Sequence, residues 1–276
     1  MNEIEKKSAK AIKLLQAVSR AKGGEVIEVA YSGGKDSDVI LELTRMAGIP
    51  YRAIYKNTTI DPKGTLQHVR EMGVEVRQPE MSFFELVKNK GLPNRHKRFC
   101  CSVLKEYKIF DTCIIGVRRE ESRKRAEIYK EPTICRVYNK NERVEQVAPI
   151  LDWTLQDVAA FVCWRGLKLA PHYYTTTGEI DFTRRLGCVG CPLKSTAKRV
   201  QDFKENPAFL RAWLRALKVY FETHPQSAVV VINGGNFYQH FAWCLFPKNF
   251  VTNGTGLFDT DYKEALENLF KTNITI

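Results

Sequence analysis

The sequence predicts an α/β fold: a doubly wound, mainly parallel sheet flanked by helices, with a helical C-terminal extension. Three observations predict it. Apolar runs over 26–31, 51–55, 74–76 and 112–117 alternate with segments of helical spacing. Polar loops begin at the ends of those runs, at 32–37, 57–61 and 118–125, and parallel sheets bind ligands at the carboxyl ends of their strands. Beyond about residue 185 the patterns are mostly helical. The expected division is therefore 1–185 and 186–276.

The elements follow in order. Over 1–20 the apolar residues Ile4, Ala11, Ile12, Leu15 and Val18 fall near helical spacing. The run 26–31 predicts the first strand, and Val39, Ile40, Leu43 and Met46 the helix after it. Residues 51–55 predict a second strand ending in the polar loop Asn57-Thr58-Thr59-Ile60-Asp61. A helix over 63–73, a strand over 74–76, a helix over 82–90 and a buried strand over 112–117 come next. Pro149-Ile150-Leu151-Asp152-Trp153-Thr154 closes a short strand and opens a helix, with Thr154 as its N-cap and Asp157 three residues on. Val158, Phe161 and Val162 form that helix's inner face. Further helices are predicted over 194–205 and 207–223, the second with an apolar stripe from Phe209 to Phe221. Residues 228–232 predict one more strand, before Asn233-Gly234-Gly235-Asn236. The last fifty residues carry no interpretable motif.

The 276 residues suit one large or two modest domains, and an apolar content of 44% suffices for a core. No apolar run approaches the roughly 20 residues of a membrane span. No secretion signal is present, so a cytoplasmic location is expected. The net charge of +12 suits phosphate-rich partners, nucleotides or nucleic acid. The excess is clustered, at Arg95-His96-Lys97-Arg98, Arg118-Arg119, Arg123-Lys124-Arg125 and Arg184-Arg185. Eight cysteines in a chain of this length and location need no disulfide framework. Cys113, Cys163 and Cys244 sit in apolar surroundings and read as small buried hydrophobes. Cys135 is ambiguous.

Ser32-Gly33-Gly34-Lys35-Asp36-Ser37 joins the first strand to its helix. Two glycines let the backbone approach a ligand closely. The unpaired N–H groups and dipole of the helix N-terminus favour an anion. Ser32, Ser37 and Lys35 add hydroxyls and a cation, so this loop is expected to hold a phosphate-bearing molecule. It is not the Walker loop, which separates its first glycine from Gly-Lys by four residues. Nor is it the dinucleotide fingerprint, which needs a third glycine further on.

Two more constellations carry chemistry. Arg118, Arg119 and Arg125 follow a buried strand; their planar forks fit phosphate oxygens in pairs and stabilise a departing anion. Asp36 and Asp61 suit Mg2+ beside phosphates, or a cap and a turn. Cys100-Cys101 and Cys188-Val189-Gly190-Cys191 make a four-thiolate set. Adjacent cysteines are awkward ligands for one zinc tetrahedron, whereas in an iron–sulfur cube each thiolate binds a different iron. The alternatives are zinc, a redox pair or unrelated buried thiols.

The loop resembles the pyrophosphate (PP) loop of the adenine nucleotide alpha-hydrolase superfamily, the N-type ATP pyrophosphatases. Within it the chain resembles the phosphoadenosine phosphosulfate (PAPS) reductase family. The likeness runs through the loop, the arginine element Gly116-Val117-Arg118-Arg119-Glu120-Glu121-Ser122-Arg123-Lys124-Arg125, Pro149 to Thr154, and the cysteine set, in the family's order. By this resemblance 1–185 is a PP-loop nucleotide-binding domain. Ser32, Gly33, Gly34, Lys35, Asp36, Ser37 and Gly116 bind an adenine nucleotide, ATP or a sulfonucleotide (adenylyl sulfate, APS, or PAPS). Asn57, Thr58 and Asp61 lie near its ribose or metal, and Arg118, Arg119 and Arg125 hold its anionic end. Cys100, Cys101, Cys188 and Cys191 mark members with a [4Fe–4S] cluster, whose charge Arg98, Lys105 and Arg185 offset.

Two departures shape the expected activity. The family's reductases carry a catalytic cysteine in a C-terminal element that is not found here; the one cysteine after Cys191 is Cys244, in an apolar context that raises a thiol's pKa. Lys35 is similar to members that cleave ATP between its α- and β-phosphates, such as sulfate adenylyltransferases and nucleic-acid thiolation enzymes. The expected function is adenylation with loss of pyrophosphate in the service of sulfur transfer, with a sulfur donor protein as a partner. The alternatives are a true sulfonucleotide reductase and a non-catalytic nucleotide- or redox-responsive protein associated with nucleic acid.

Overall fold

The computed structural model describes residues 2–138, 142–250 and 261–276. The chain forms two compact units that interleave along the sequence. The first comprises 1–57, 63–78 and 105–186, and the second 58–62, 79–104 and 187–276. The sequence suggests one boundary near 185; the stretches 58–62 and 79–104 also pack with the C-terminal region.

The first unit is built on a six-stranded sheet: β1 Ile27–Tyr31, β2 Tyr51–Lys56, β3 Glu75–Arg77, β4 Thr112–Ile114, β5 Thr133–Tyr138 and β6 Glu142–Val147. The order is β3-β2-β1-β4-β6-β5, and β5 alone runs antiparallel, against β6. The expected class is thus correct. Helices α1 Glu3–Ala21, α2 Lys35–Ala47, α3 Thr65–Glu71, α6 Arg123–Ile128 and α7 Leu155–Arg165 accompany the strands. One core joins Leu15 and Ala11 of α1, Val39, Ile40 and Leu43 of α2, and Phe161 and Val162 of α7 to Val29 and Ile114. Asn2 and Thr154 close capping boxes at the starts of α1 and α7. The order matters for function. The chain leaves β1 toward β2 on one side, while β4 lies on the other. A doubly wound sheet opens a crevice at such a switch point, at the strands' carboxyl ends.

The second unit holds α4 Phe83–Lys90, α5 Phe99–Leu104, α8 Thr196–Glu205, α9 Pro207–Thr223, α10 Ala228–Ile232, α11 Phe237–Leu245 and α12 Tyr262–Phe270. Its core is aromatic: Phe203 is surrounded by Trp213, Phe241, Phe246 and Phe270, at centroid distances of 5.7–6.0 Å.

Two expectations are corrected. Residues 228–232 are not a strand but α10, capped by the Ser227 side chain, which accepts from the Val230 N–H. A lone strand leaves its backbone groups unpaired, and among the described residues this unit offers no sheet to join. Cys163 is exposed rather than buried, because α7 turns Val158, Phe161 and Val162 inward and Cys163 outward. Cys113 is buried as expected, and Cys244 is half-buried.

Candidate functional site

In the first unit, the crevice at the β1/β4 switch point holds a cavity of about 150 Å3. Its walls include Ser32, Gly34, Lys35, Asp36 and Ser37 from the loop, Gly116, Glu121 and Arg125 from the segment after β4, and Tyr173, Arg185 and Leu186. The loop is pinned from within: the Ser37 hydroxyl donates to the Gly34 carbonyl at 2.6 Å, and Ser32 Oγ accepts from the Gly34 N–H at 3.4 Å. Gly33 has φ +75, a left-handed conformation, and a Cβ there would meet Thr65 at 3.0 Å. The backbone N–H of Lys35 donates to the Tyr173 hydroxyl at 3.1 Å. Burial pushes that phenol's pKa up to about 12, so it remains a neutral hydroxyl.

The charges are organised in pairs. Arg118 is buried; its Nε donates to Asp36 at 2.7 Å and its Nη1 to Glu120 at 2.5 Å. Lys35 is also buried, with Nζ 3.6 Å from Asp36 and donating to the Arg184 carbonyl at 3.2 Å. Burial, opposed by Asp36 and reinforced by Arg118 and Arg185, lowers the Lys35 pKa. Arg125 and Arg185 both reach Glu121. Burial also lowers Arg125, as does its neighbour Arg185. Four cations thus feel one another around a cavity whose nearest carboxylates are Asp36 and Glu121. An anion entering it relieves that repulsion.

The structure gathers Ser32, Gly34, Lys35, Asp36, Ser37, Gly116 and Arg125 around this cavity, with Arg118 behind Asp36. Arg119 points elsewhere: it pairs with Asp152 and donates to the carbonyls of Tyr129 and Lys130. Asn57 Nδ2 donates to Gln78 at 2.8 Å. Thr58 and Asp61 belong to the second unit, where the Thr58 hydroxyl donates to Asp61 at 2.6 Å and the Cys188 thiol donates to Thr58 at 3.6 Å. Sequence reasoning missed Tyr173 and Glu121 as parts of the site and assigned Arg185 to the cysteines. For Glu121 a signal was present in its four-residue spacing to Arg125; for Tyr173 there was none.

Beneath the loop, Tyr31, Asp38 and His68 form a buried cluster. The Tyr31 hydroxyl donates to Asp38 Oδ1, and His68 Nε2 lies 3.0 Å from both. Burial raises the Asp38 pKa, against the lowering effects of His68 and Tyr31. The protonated carboxyl is therefore the form that folding favours. Its contribution to stability is complete below the ordinary value of 3.8 and is lost as pH rises through the higher folded value. Asp38→Asn is expected to lose less thermal stability than the native chain as pH rises above the ordinary carboxylate value. Parallel Tm profiles would contradict this.

In the second unit, Cys100, Cys101, Cys188 and Cys191 form the thiol set, and none is in a disulfide. The Cys100 thiol is pushed far up, first by its hydrogen bond with Cys101, then by burial and the charges of Cys101, Cys188 and Cys191. All four thus share one electrostatic neighbourhood. Among the described residues no three Cys, His, Asp or Glu side chains surround a single metal ion. The knuckle is braced by the chain itself: the Gly190 N–H and Lys194 Nζ both donate to Asp202, at 2.9 and 2.7 Å. Buried Arg199 donates to the carbonyls of Pro192 at 3.1 Å and Leu245 at 3.0 Å.

Residues 26–194 match the phosphoadenosine phosphosulfate reductase domain, more than half of the chain. The chain belongs to that family. Two uncharacterized proteins of Methanocaldococcus jannaschii are 28% and 29% identical to it, over 79% and 72% of this chain. It spans only 54% and 42% of their lengths. Sulfate adenylyltransferase subunit 2 of Shewanella pealeana is 25% identical, over 63% of this chain and 68% of that protein. Among solved structures, Candida glabrata FMN adenylyltransferase is 17% identical with TM-score 0.45, covering 68% of this chain and 62% of that one. The PAPS reductase from Candida auris is 16% identical with TM-score 0.41, covering 62% and 90%. The Ser32–Ser37 loop and the Cys188–Cys191 knuckle both lie within the matched span. Among the described residues no helix is long and apolar enough to cross a membrane.

Proposed function

We propose that this family member binds an adenine nucleotide with its phosphate or sulfate tail in the Ser32–Ser37 cavity and breaks the bond that releases pyrophosphate, adenylating an acceptor for sulfur transfer. One observation supports this above the rest: a cavity of about 150 Å3, the size of a small anion and not of a whole nucleotide, is lined by Lys35, Arg125, Arg185 and two serine hydroxyls. In this reading Lys35, Arg125 and Arg185 neutralise charge that grows on the leaving oxygens, and the start of α2 contributes its dipole. Tyr173 orients the loop through the Lys35 amide. Asp36 is tied to Arg118, so it is a brace for that arginine rather than a ready Mg2+ ligand. Positioning and fixed charge carry the catalysis, with no side-chain nucleophile.

A [4Fe–4S] cluster is proposed at Cys100, Cys101, Cys188 and Cys191; when bound it would supply an electron store. The chain's contribution there is a knuckle set by Asp202, Lys194 and Arg199. Release of labelled pyrophosphate from ATP, measured anaerobically, tests the adenylation reading. Release of sulfite from adenylyl sulfate or its 3′-phosphorylated form would replace it with sulfonucleotide reduction. Cys244 separates the two further. Burial pushes its thiol up to about 11, so little thiolate is present near neutral pH. Cys244→Ser is expected to keep pyrophosphate release within about twofold of the native rate. Loss of turnover would point to a cysteine nucleophile.

A further inference from the structure

The two arginines at the cavity are like charges, and one carboxylate joins them. Glu121 Oε1 accepts from Arg185 Nη2, and Glu121 Oε2 pairs with Arg125 Nη1. The carboxylate is buried at 8% exposure, while Arg125 and Arg185 are 36% and 51% exposed. The backbone N–H of Arg118 also donates to Oε2, at 3.3 Å, which fixes the carboxylate to the turn after β4. We propose that Glu121 is the positioning residue of this cavity, holding the guanidinium forks of Arg125 and Arg185 side by side so that one multiply charged tail engages both.

Glu121 admits two opposite roles. As an internal anion it competes with the ligand, and neutralising it strengthens binding. As a positioning residue it creates the paired forks, and neutralising it weakens binding even though the cavity becomes more positive. The geometry favours the second. Each guanidinium has five N–H donors, and Glu121 engages one terminal nitrogen of each. The rest of each fork remains for oxygens of a ligand, and both arginines line the cavity. Without the carboxylate the two exposed cations repel and swing toward water. Glu121 itself has no such freedom, being buried and held by a backbone amide. The matching ligand carries two or more negative charges at one end: pyrophosphate, or the sulfate–phosphate end of adenylyl sulfate.

The inference rests on the reading that this cavity takes the nucleotide tail, and calorimetry on the full chain keeps the two apart. The probes are inorganic pyrophosphate and adenylyl sulfate. If the native chain binds neither, the reading of the cavity fails and the role of Glu121 fails with it. If the native chain binds, Glu121→Gln is expected to weaken pyrophosphate at least about tenfold. In the Arg125→Met, Arg185→Met background the same substitution is expected to cause no further loss, since Glu121 acts through those two groups. Unchanged or tighter binding by Glu121→Gln overturns the proposal. So does an undiminished effect in the arginine-free background, which would mark a purely structural role. Should Glu121→Gln unfold, Glu121→Asp keeps the charge and shortens the reach: weaker binding supports the proposal, and native binding overturns it.

Discussion

Gly116→Ala is expected to cut nucleotide binding at least about tenfold, the equivalent of about 1.4 kcal/mol or more. The glycine lies just past β4, where the chain passes the start of α2. A Cβ there would lie 2.9 Å from the Asp36 carbonyl oxygen and 3.0 Å from its carbonyl carbon. Both are backbone atoms, so no rotamer change relieves the contact. The new methyl must push the first turn of α2 away from the segment after β4. That turn carries Lys35 and Asp36, and Asp36 is the carboxylate that Arg118 grips at 2.7 Å. The loop, the lysine and the arginine brace therefore move together. Forcing a methyl into such a contact costs about 1–3 kcal/mol of stability, so the folded chain persists with a damaged site. Calorimetry with ATP and adenylyl sulfate, beside a thermal melt, reads both effects. Native affinity in this variant would mean that the segment after β4 does not form a wall of the site.

Gly190→Ala is expected to be the more destabilising change. Gly190 has φ +74, a left-handed conformation that costs an L-residue about 1–2 kcal/mol. Its Cβ would also sit 2.4 Å from Phe203 Cζ, with two more ring atoms at 3.1 Å. Phe203 is wholly buried among Trp213, Phe241, Phe246 and Phe270, so its ring has nowhere to go. The two terms together reach about 3 kcal/mol or more, a fall of about 10 °C in Tm. The Gly190 N–H donates to Asp202 and the Val189 N–H to the Ile60 carbonyl, so the knuckle bearing Cys188 and Cys191 shifts as well. Iron bound after anaerobic reconstitution is expected to drop with stability. Gly187→Ala is the matched control, since its Cβ would meet only Lys194 at an ordinary 3.8 Å. If both variants melt like the native chain, the packing of Phe203 on this turn is wrong.

The features legible in the sequence were those encoded locally. Alternating apolar runs and helical stripes gave the mainly parallel sheet, because each run of three to six residues carries its own period. The loop was legible because strand, glycine pair and helix start are contiguous, and the cysteines because their spacing is itself the signal. What was not legible depends on residues far apart or on neighbours not yet known. Tyr173 meets the Lys35 amide across 138 positions, and nothing in Pro171-His172-Tyr173 announces it. Arg119 belongs to the same basic cluster as Arg118, yet the turn sends one to Asp152 and the other to Asp36. The β-branched run 228–232 carries strand propensity, but a cap at Ser227 and no adjacent sheet make it helical. Strand β5 was missed because its pairing with β6 is antiparallel at the sheet's edge, outside the repeating strand–helix pattern.

The most direct test of the account is calorimetric titration of the full chain with ATP, adenylyl sulfate and its 3′-phosphorylated form, repeated on Gly34→Val. A Cβ at Gly34 would already lie 3.3 Å from the Tyr173 hydroxyl and 3.4 Å from Ser32 Oγ, and valine extends beyond it into the cradle. The account predicts that at least one of the three nucleotides binds the native chain and that Gly34→Val weakens it at least about tenfold. No heat from any of them, or equal binding by Gly34→Val, would contradict the claim that this loop holds the nucleotide's anionic tail.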